Sequence, residues 1–263
     1  MTTEERLQAL EQFRNSFDAS YLGSLKYPPD PESQKSIEFS FDRFAVSKIM
    51  DLIWRKLFYY FTFFESADGY LVDSGTGGGS AGVSDTGLSI TTGATSGNDE
   101  FVAKRPSVAV GSGTGNSILS WARNQRFRTD FAVDSVTSIT AYLVRGATQN
   151  RTTDPYFGFK VVNNALQGVC RDNSTEGEVT IALATITAAT KYAVEARFLP
   201  GDKIVFSILN ATTGLYEEKG VLSTKLPRST TTINDTLMEY YLKTTAAGAK
   251  NLTISFFEYQ QER

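Results

Sequence analysis

From residue 66 onward the sequence predicts an antiparallel β-sandwich, preceded by a helical and extended arm, so that the chain as a whole is mainly β. Three observations carry this expectation. Apolar residues recur at every second position, clusters of turn-forming residues separate the runs at short intervals, and no segment of convincing helical period lies between them. Alternation of strands with helices, the mark of a parallel sheet, is missing.

The arm comes first in the chain. Leu7, Leu10, Phe13, Phe17 and Tyr21 recur at steps of three or four, and Thr2 with Glu5 has the spacing of a capping box, so residues 2–22 read as an amphipathic helix. Its apolar face calls for a packing partner, because an isolated helix of this length is marginal in water. The segment KYPPDPESQKS (26–36) carries prolines at 28, 29 and 31, which stop a helix and favour an extended connector. Beyond it, Phe44, Ala45, Ile49, Leu52, Ile53, Leu57 and Tyr60 fit one helical face. A helix is expected to about residue 56, and the aromatic cluster after Lys56 could equally open a strand. The organisation expected is an anchoring arm over 1–65 and a sandwich over 66–263.

In the sandwich the period is two. QRFRTDFAVD (125–134) alternates Phe127, Thr129, Phe131 and Val133 with Arg126, Arg128, Asp130 and Asp134, which gives a strand one dry face and one wet face. The same alternation runs through Phe157, Phe159 and Val161, then Val179, Ile181 and Leu183, then Tyr192 to Phe198, then Leu252, Ile254 and Phe256. Pro200-Gly201-Asp202, Asn210 to Gly214 and Ala246 to Ala249 supply turns between them. In LSITTGATSGNDEFVAKRP (88–106), Leu88 and Ile90 form one strand, Gly93 to Asp99 a turn, and Phe101 and Ala103 the returning strand of a hairpin. Neighbours such as Tyr240-Tyr241 and Phe256-Phe257 point to opposite faces, so the outer side of the sheets is expected to be covered as well.

Composition narrows the chemistry. With no histidine and one cysteine, Cys170, the chain cannot build a histidine-based hydrolase triad, a histidine-ligated metal site, a multi-cysteine cage or an intrachain disulfide. Carboxylate catalysis and oxygen-ligated calcium stay open. A net charge of -3 offers no global attraction to nucleic acid or to an anionic membrane, and neither is expected as a partner. The run IMDLIWRKLFYYFTFF (49–64) is broken by Asp51, Arg55 and Lys56 and is too short to span a bilayer, so a soluble protein without a secretory signal is expected.

DGYLVDSG, GLSITTGATSGNDEFVAKRP, FRTDFAV, YFGFKVVNNALQGV, KYAVEARFLPGDKIVFSILN and NLTISFFEYQ, in that order, resemble the concanavalin A-like jelly-roll domains of tailed-bacteriophage virion proteins, over about residues 66–263. The resemblance implies two curved antiparallel sheets and a structural or carbohydrate-contacting role. It does not extend to residues 1–65, which would suit an arm docking on another virion protein through Leu7, Leu10, Phe13, Phe17 and Tyr21.

Several segments offer candidate sites. SVAVGSGTGNSILSWARN (107–124) with Asp134 downstream imitates a dinucleotide fingerprint but lacks the third glycine and the crossover helix, and reads as an inter-strand loop. Glycan hydrolysis needs two facing carboxyls. Glu176 with Glu178 and Glu217 with Glu218 are local pairs and read as solvated loop charge; the Glu-x-Asp-x-x-Glu strand of laminarinase-type relatives is absent. Asp154, Asp172 and Asn173 could ligate calcium but read as turn residues, so no metal and no cofactor are expected. Sequons at Asn150, Asn173, Asn210, Asn234 and Asn251 reflect threonine-rich strands and turns. Trp121, Tyr156 and Tyr216, in or near predicted loops, are the candidates for stacking on a sugar ring, with core packing as the competing role of each.

The function expected is a virion structural protein without enzymatic activity: a capsid accessory or decoration protein, or a head or tail fibre component. It would be made in the host cytoplasm, form a homo-oligomer, and dock through its arm on capsid, neck or tail proteins. The alternatives are a carbohydrate-binding receptor module of a tail, meeting a cell-surface glycan, and a carboxylate-dependent glycan hydrolase.

Overall fold

Alternating dry and wet side chains do produce strands, and these fold into two antiparallel sheets packed face to face. The computed structural model describes residues 57–62, 71–84, 87–104, 120–146, 154–172, 177–228 and 238–262. Among them the first strands are β1 (Leu57–Thr62), β2 (Leu71–Thr76), β3 (Ser80–Ser84), β4 (Gly87–Thr91), β5 (Asp99–Lys104), β6 (Gln125–Val133), β7 (Ile139–Arg145) and β8 (Tyr156–Val162). The rest are β9 (Ala165–Arg171), β10 (Val179–Thr185), β11 (Tyr192–Leu199), β12 (Lys203–Asn210), β13 (Leu215–Leu222), β14 (Met238–Thr244), β15 (Asn251–Ile254) and β16 (Phe257–Glu262). No helix occurs among the described residues.

One sheet has nine strands, in the order β13-β12-β11-β6-β15-β4-β3, with β16 also pairing to β6 and β1 to β16; the other has seven, in the order β10-β9-β8-β7-β14-β5-β2. This is the sandwich expected from the sequence. Its core is aromatic: Phe157 stacks on Phe198 at 5.3 Å between ring centroids, and Phe159 meets Phe206 edge-on at 5.6 Å. Each pair joins the seven-stranded sheet to the nine-stranded one, and truncating such a buried ring to alanine costs about 3–5 kcal/mol. One polar link crosses the core as well. Thr129 Oγ1 lies 2.9 Å from the Phe256 carbonyl and 2.7 Å from the Tyr240 hydroxyl, so Thr129 donates to the first and accepts from the second.

Three expectations are corrected. Residues 88–103 are not a hairpin: β4 pairs with β3 and β15 in one sheet, whereas β5 pairs with β2 and β14 in the other. The turn residues between them are spent on crossing from sheet to sheet, with Asn98 Nδ2 donating to the Gly77 carbonyl at 2.8 Å and the Gly97 amide to the Thr244 carbonyl at 2.9 Å. The alternation through Leu252, Ile254 and Phe256 does not continue. Strand β15 ends at Ile254, and Asp130 catches the amides of Ser255 and Phe256 at 2.8 and 3.0 Å, so that Phe257 rather than Phe256 enters the core. The aromatic cluster after Lys56 opens a strand, β1, which pairs with β16 residue for residue. The sheet therefore begins before the boundary drawn at residue 66. The proposed helices over 2–22 and 41–56, the connector, and the arm residues Leu7, Leu10, Phe13, Phe17 and Tyr21 lie outside the described residues.

Candidate functional site

The site is built on the outer face of the seven-stranded sheet. Because Ala141, Leu143, Phe159, Val161, Tyr240 and Leu242 face the core, their neighbours Tyr142, Lys160 and Tyr241 face outward. Strand register then lines them up: Tyr241 stands opposite Tyr142, Tyr142 opposite Lys160, and Lys160 opposite Gln167. The result is a half-buried row running across β14, β7, β8 and β9, with Phe101 opposite Tyr241 at its β5 end.

Glu178, just before β10, reaches over this row. Tyr156 donates its hydroxyl to Glu178 Oε2 at 2.6 Å, Tyr142 donates at 3.1 Å, and the Lys160 ammonium forms an ion pair with Oε1. The same ammonium lies 5.1 Å from the centre of the Tyr142 ring, whose edges meet Tyr156 and Tyr241 at centroid distances of 6.2 and 6.1 Å. Burial alone would raise the Glu178 pKa, but Lys160 and the two hydroxyls outweigh it and hold the carboxyl below its ordinary range. Lys160 is raised in turn, its burial being outweighed by Glu178 and Tyr142, and Tyr156 is driven far upward by burial and by Glu178. At neutral pH the cluster is one carboxylate, one ammonium and neutral phenols.

At the other end of the row Tyr241 donates to Asp99 Oδ2 at 2.9 Å, while Thr76 donates its amide and hydroxyl to Oδ1 at 3.1 and 2.7 Å. Burial pushes Asp99 up, but these bonds and Lys243 bring it below the usual range. Further along the strands Val144, Tyr156 and Val169 form a small buried cluster on this same outer side, and Glu239 there is fully buried. Part of the face is thus covered and part left half-open.

The outer face of the nine-stranded sheet is organised differently. Glu195 and Glu258, both buried, sit among Arg126, Arg128 and Arg197: Arg128 Nε meets Glu195 at 2.6 Å, Arg126 Nη2 meets Glu258 at 3.1 Å, and Arg197 Nε meets Glu195 at 3.2 Å. This is an interlocked ion lattice in which every carboxylate is shared.

The three aromatic candidates do not stay together. Trp121 is 3% exposed and buried edge-on against Phe157 and Phe198, with the Arg145 guanidinium 4.1 Å over its ring, so it cannot stack on a sugar. A side chain at Gly146 would come within 2.6 Å of that indole, which is why a glycine with φ +107° stands there. Tyr156 belongs to the site, but through its hydroxyl, since its ring is 1% exposed. Tyr216 lies on the opposite face under Arg128, whose guanidinium is 4.7 Å from its ring centre.

The reading of Glu178 as solvated loop charge is corrected, because it is the half-buried acceptor of three donors. Glu217 is a strand charge on β13, bound to Asn210 Nδ2 at 2.5 Å and Lys219 at 2.9 Å. Glu176, Asn173 and residues 105–119 of the fingerprint-like loop lie outside the described residues, as do Asn150 and Asn234. Asp172 is buried, Asp154 half-buried, and no group of three or more acidic or cysteine side chains among the described residues could hold a metal. Burial, with Asp172 nearby, pushes the Cys170 thiol up to about 12, so it is no nucleophile at neutral pH. The signal the sequence held for this site was the outward phase of Tyr142, Lys160 and Tyr241.

No family model matches the chain, and no curated protein matches it by sequence. Solved structures do match. A protein of unknown function from Shewanella oneidensis MR-1 superposes with TM-score 0.54 at 12% identity, over 90% of this chain and 95% of that one. A prokaryotic β-1,3-1,4-glucanase (lichenase) derived from a mouse hindgut metagenome gives 0.52 at 8% identity, over 76% and 98%. The Bacillus licheniformis β-glucanase gives 0.51 at 9% identity, over 76% and 97%. These likenesses show the fold, an antiparallel jelly-roll β-sandwich. They also correct the expectation that the chain is not an enzyme: two proteins that share this fold are glucanases, so the absence of histidine and of one strand motif does not exclude glycan hydrolysis.

Proposed function

We propose that the protein binds a glycan chain across the outer face of the seven-stranded sheet, along the row Tyr241, Tyr142, Lys160 and Gln167, with Glu178 as its central acceptor. The observation that carries this reading is the convergence of Tyr142, Tyr156 and Lys160 on one ionised carboxylate, on a sheet face turned away from the core. Sugars present flat C–H faces and many hydroxyls. Tyrosine rings suit the first, and a carboxylate that accepts charge-assisted hydrogen bonds suits the second. The glucanases that share the fold favour a β-glucan as the chain to try first.

Hydrolysis of the bound chain is the second reading, and the ionised state of Glu178 favours it, since such a carboxylate serves as base or nucleophile. The resemblance to tailed-phage proteins adds a setting: the face would meet a cell-surface glycan while residues 1–56 attach the sandwich to neighbouring virion proteins.

Retention on immobilised lichenan, laminarin and bacterial cell-wall polysaccharide, with release of reducing sugar followed in the same samples, tests both readings. Wild-type protein should be retained on at least one glycan, and Tyr241→Ala and Glu178→Gln should each weaken retention at least about tenfold, or about 1.4 kcal/mol, with the strand signature of circular dichroism intact. Failure of the wild type on every glycan overturns the proposal. Release of sugar that stops in Glu178→Gln establishes hydrolysis.

A further inference from the structure

On the other sheet one detail of the ion lattice is out of balance. Arg126 on β6 and Arg197 on β11 stand directly opposite each other in the antiparallel register, with Gln260 of β16 opposite Arg126 on its other side. Like charges in that position repel. Glu195 lies between them, 3.2 Å from Arg197 Nε and 3.9 Å from Arg126 Nη1, but its shortest bond, 2.6 Å, goes to Arg128. Glu258 is shared in the same way, with Arg126 at 3.1 Å, Arg128 at 3.5 Å and Gln260 at 2.8 Å. Two carboxylates therefore serve three guanidiniums, and Arg126 Nε is left buried with no hydrogen-bond partner.

Arg126 and Arg197 open on a recess of about 190 Å³ at the end of the sheet, whose walls include Asn124, Leu199, Gln260 and Glu262. The one carboxylate at its lip, Glu262, is taken by Asn124 Nδ2 at 3.0 Å. Arg197 lines the opening and is half exposed at its side chain.

We infer that this recess is an oxyanion site, in which a carboxylate, phosphate or sulfate bridges Arg126 and Arg197. A planar guanidinium fork binds such a group in two parallel bonds, and a bridging anion turns the like-charge pair from a repulsion into two attractions. The space is below the roughly 300 Å³ at which pockets begin to hold whole drug-sized ligands, so it takes one functional group rather than a sugar ring. With their nitrogens bonded to Glu262 and Glu258, the side-chain oxygens of Asn124 and Gln260 at the rim suit hydroxyl donors of an acidic sugar that carries the group. The inference does not depend on the glycan row of the other sheet.

Titration calorimetry of the full chain with sodium phosphate, sodium sulfate and sodium glucuronate, each at constant ionic strength against chloride, tests it, with glucose as the uncharged control. Saturable binding of one equivalent of at least one oxyanion is expected, with none for glucose. Arg197→Gln, which leaves Glu195 its bond to Arg128, should weaken that binding at least about tenfold, whereas Lys219→Gln on β13, outside the recess, should leave it unchanged. Tighter binding of glucuronate than of phosphate or sulfate identifies an acidic saccharide, and the reverse order a free inorganic anion. Absence of saturable binding for all three, or binding undiminished in Arg197→Gln, overturns the inference.

Discussion

The two outer faces of this sandwich present charge in opposite ways. On the seven-stranded sheet a single carboxylate, Glu178, gathers two phenol hydroxyls and one ammonium, and tyrosine rings surround it. On the nine-stranded sheet Glu195 and Glu258 are buried among three arginines, each anion answering several cations. Around the one Glu178–Lys160 ion pair, phenol hydroxyls and aromatic faces leave a surface that a polyhydroxylated ligand can join. A closed lattice of guanidinium and carboxylate mostly satisfies itself, and contributes to holding β6, β11 and β16 in register. The difference separates a surface suited to binding from one suited to cohesion, and it can be broken from either side.

The largest effect is expected in the lattice. Glu195→Ala removes the shared acceptor of Arg126, Arg128 and Arg197 from a position where its side chain is 5% exposed. Breaking a buried pair in this way costs about 3–5 kcal/mol, which urea denaturation would register as a fall in midpoint at unchanged slope. A loss near zero would mean that the lattice is ornamental to the fold.

Glu178→Gln should cost less, about 1–2 kcal/mol at pH 7, because the two tyrosine hydroxyls keep an oxygen to bond while Lys160 loses its acceptor and counter-charge. The difference between wild type and variant should depend on pH with a definite sign. The folded pKa of Glu178 is depressed, so its contribution is complete above the unfolded value of about 4.3 and is lost as pH falls through the folded value. The folded pKa of Lys160 is raised, so its share is complete below about 10.4 and is lost as pH rises through the folded value. Denaturant midpoints of the two proteins should accordingly converge in acid and separate to a plateau at neutral pH. A gap that persisted undiminished at pH 2 would contradict the ionised state assigned to Glu178.

The smallest effect belongs to Tyr241→Phe, which deletes one hydroxyl bound to Asp99 at 2.9 Å and should cost about 0.5–1.5 kcal/mol while keeping the ring in the row. If ring stacking holds the glycan, retention should survive this change and fail in Tyr241→Ala.

Much of the architecture could be read from the sequence because alternation is a local property. In β6 the order of Phe127, Thr129, Phe131 and Val133 against Arg126, Arg128 and Asp130 assigns every side chain to a face without knowledge of any partner strand. What could not be read was which strands would meet. Leu88 and Phe101 are thirteen residues apart and were paired by proximity, but they belong to different sheets. Glu178 looked like loop charge for the same reason: Tyr142, Tyr156 and Lys160 lie 36, 22 and 18 residues before it and converge only through the registers of β7, β8, β9 and β10. Trp121 packs in the core, the role that competed with sugar stacking, and what the sequence could not show is that Gly146, twenty-five residues on, clears room for its ring.

Backbone amide chemical shifts, followed while an oligosaccharide of the retained glycan is added, test the central claim most directly, because they show where on the sandwich the ligand sits. The account predicts saturable shifts at Tyr142, Lys160, Gln167, Glu178 and Tyr241, with β11, β12 and β13 of the other sheet unmoved. Saturable shifts centred on Arg128, Glu195 and Tyr216 instead, or none on either face, would contradict it.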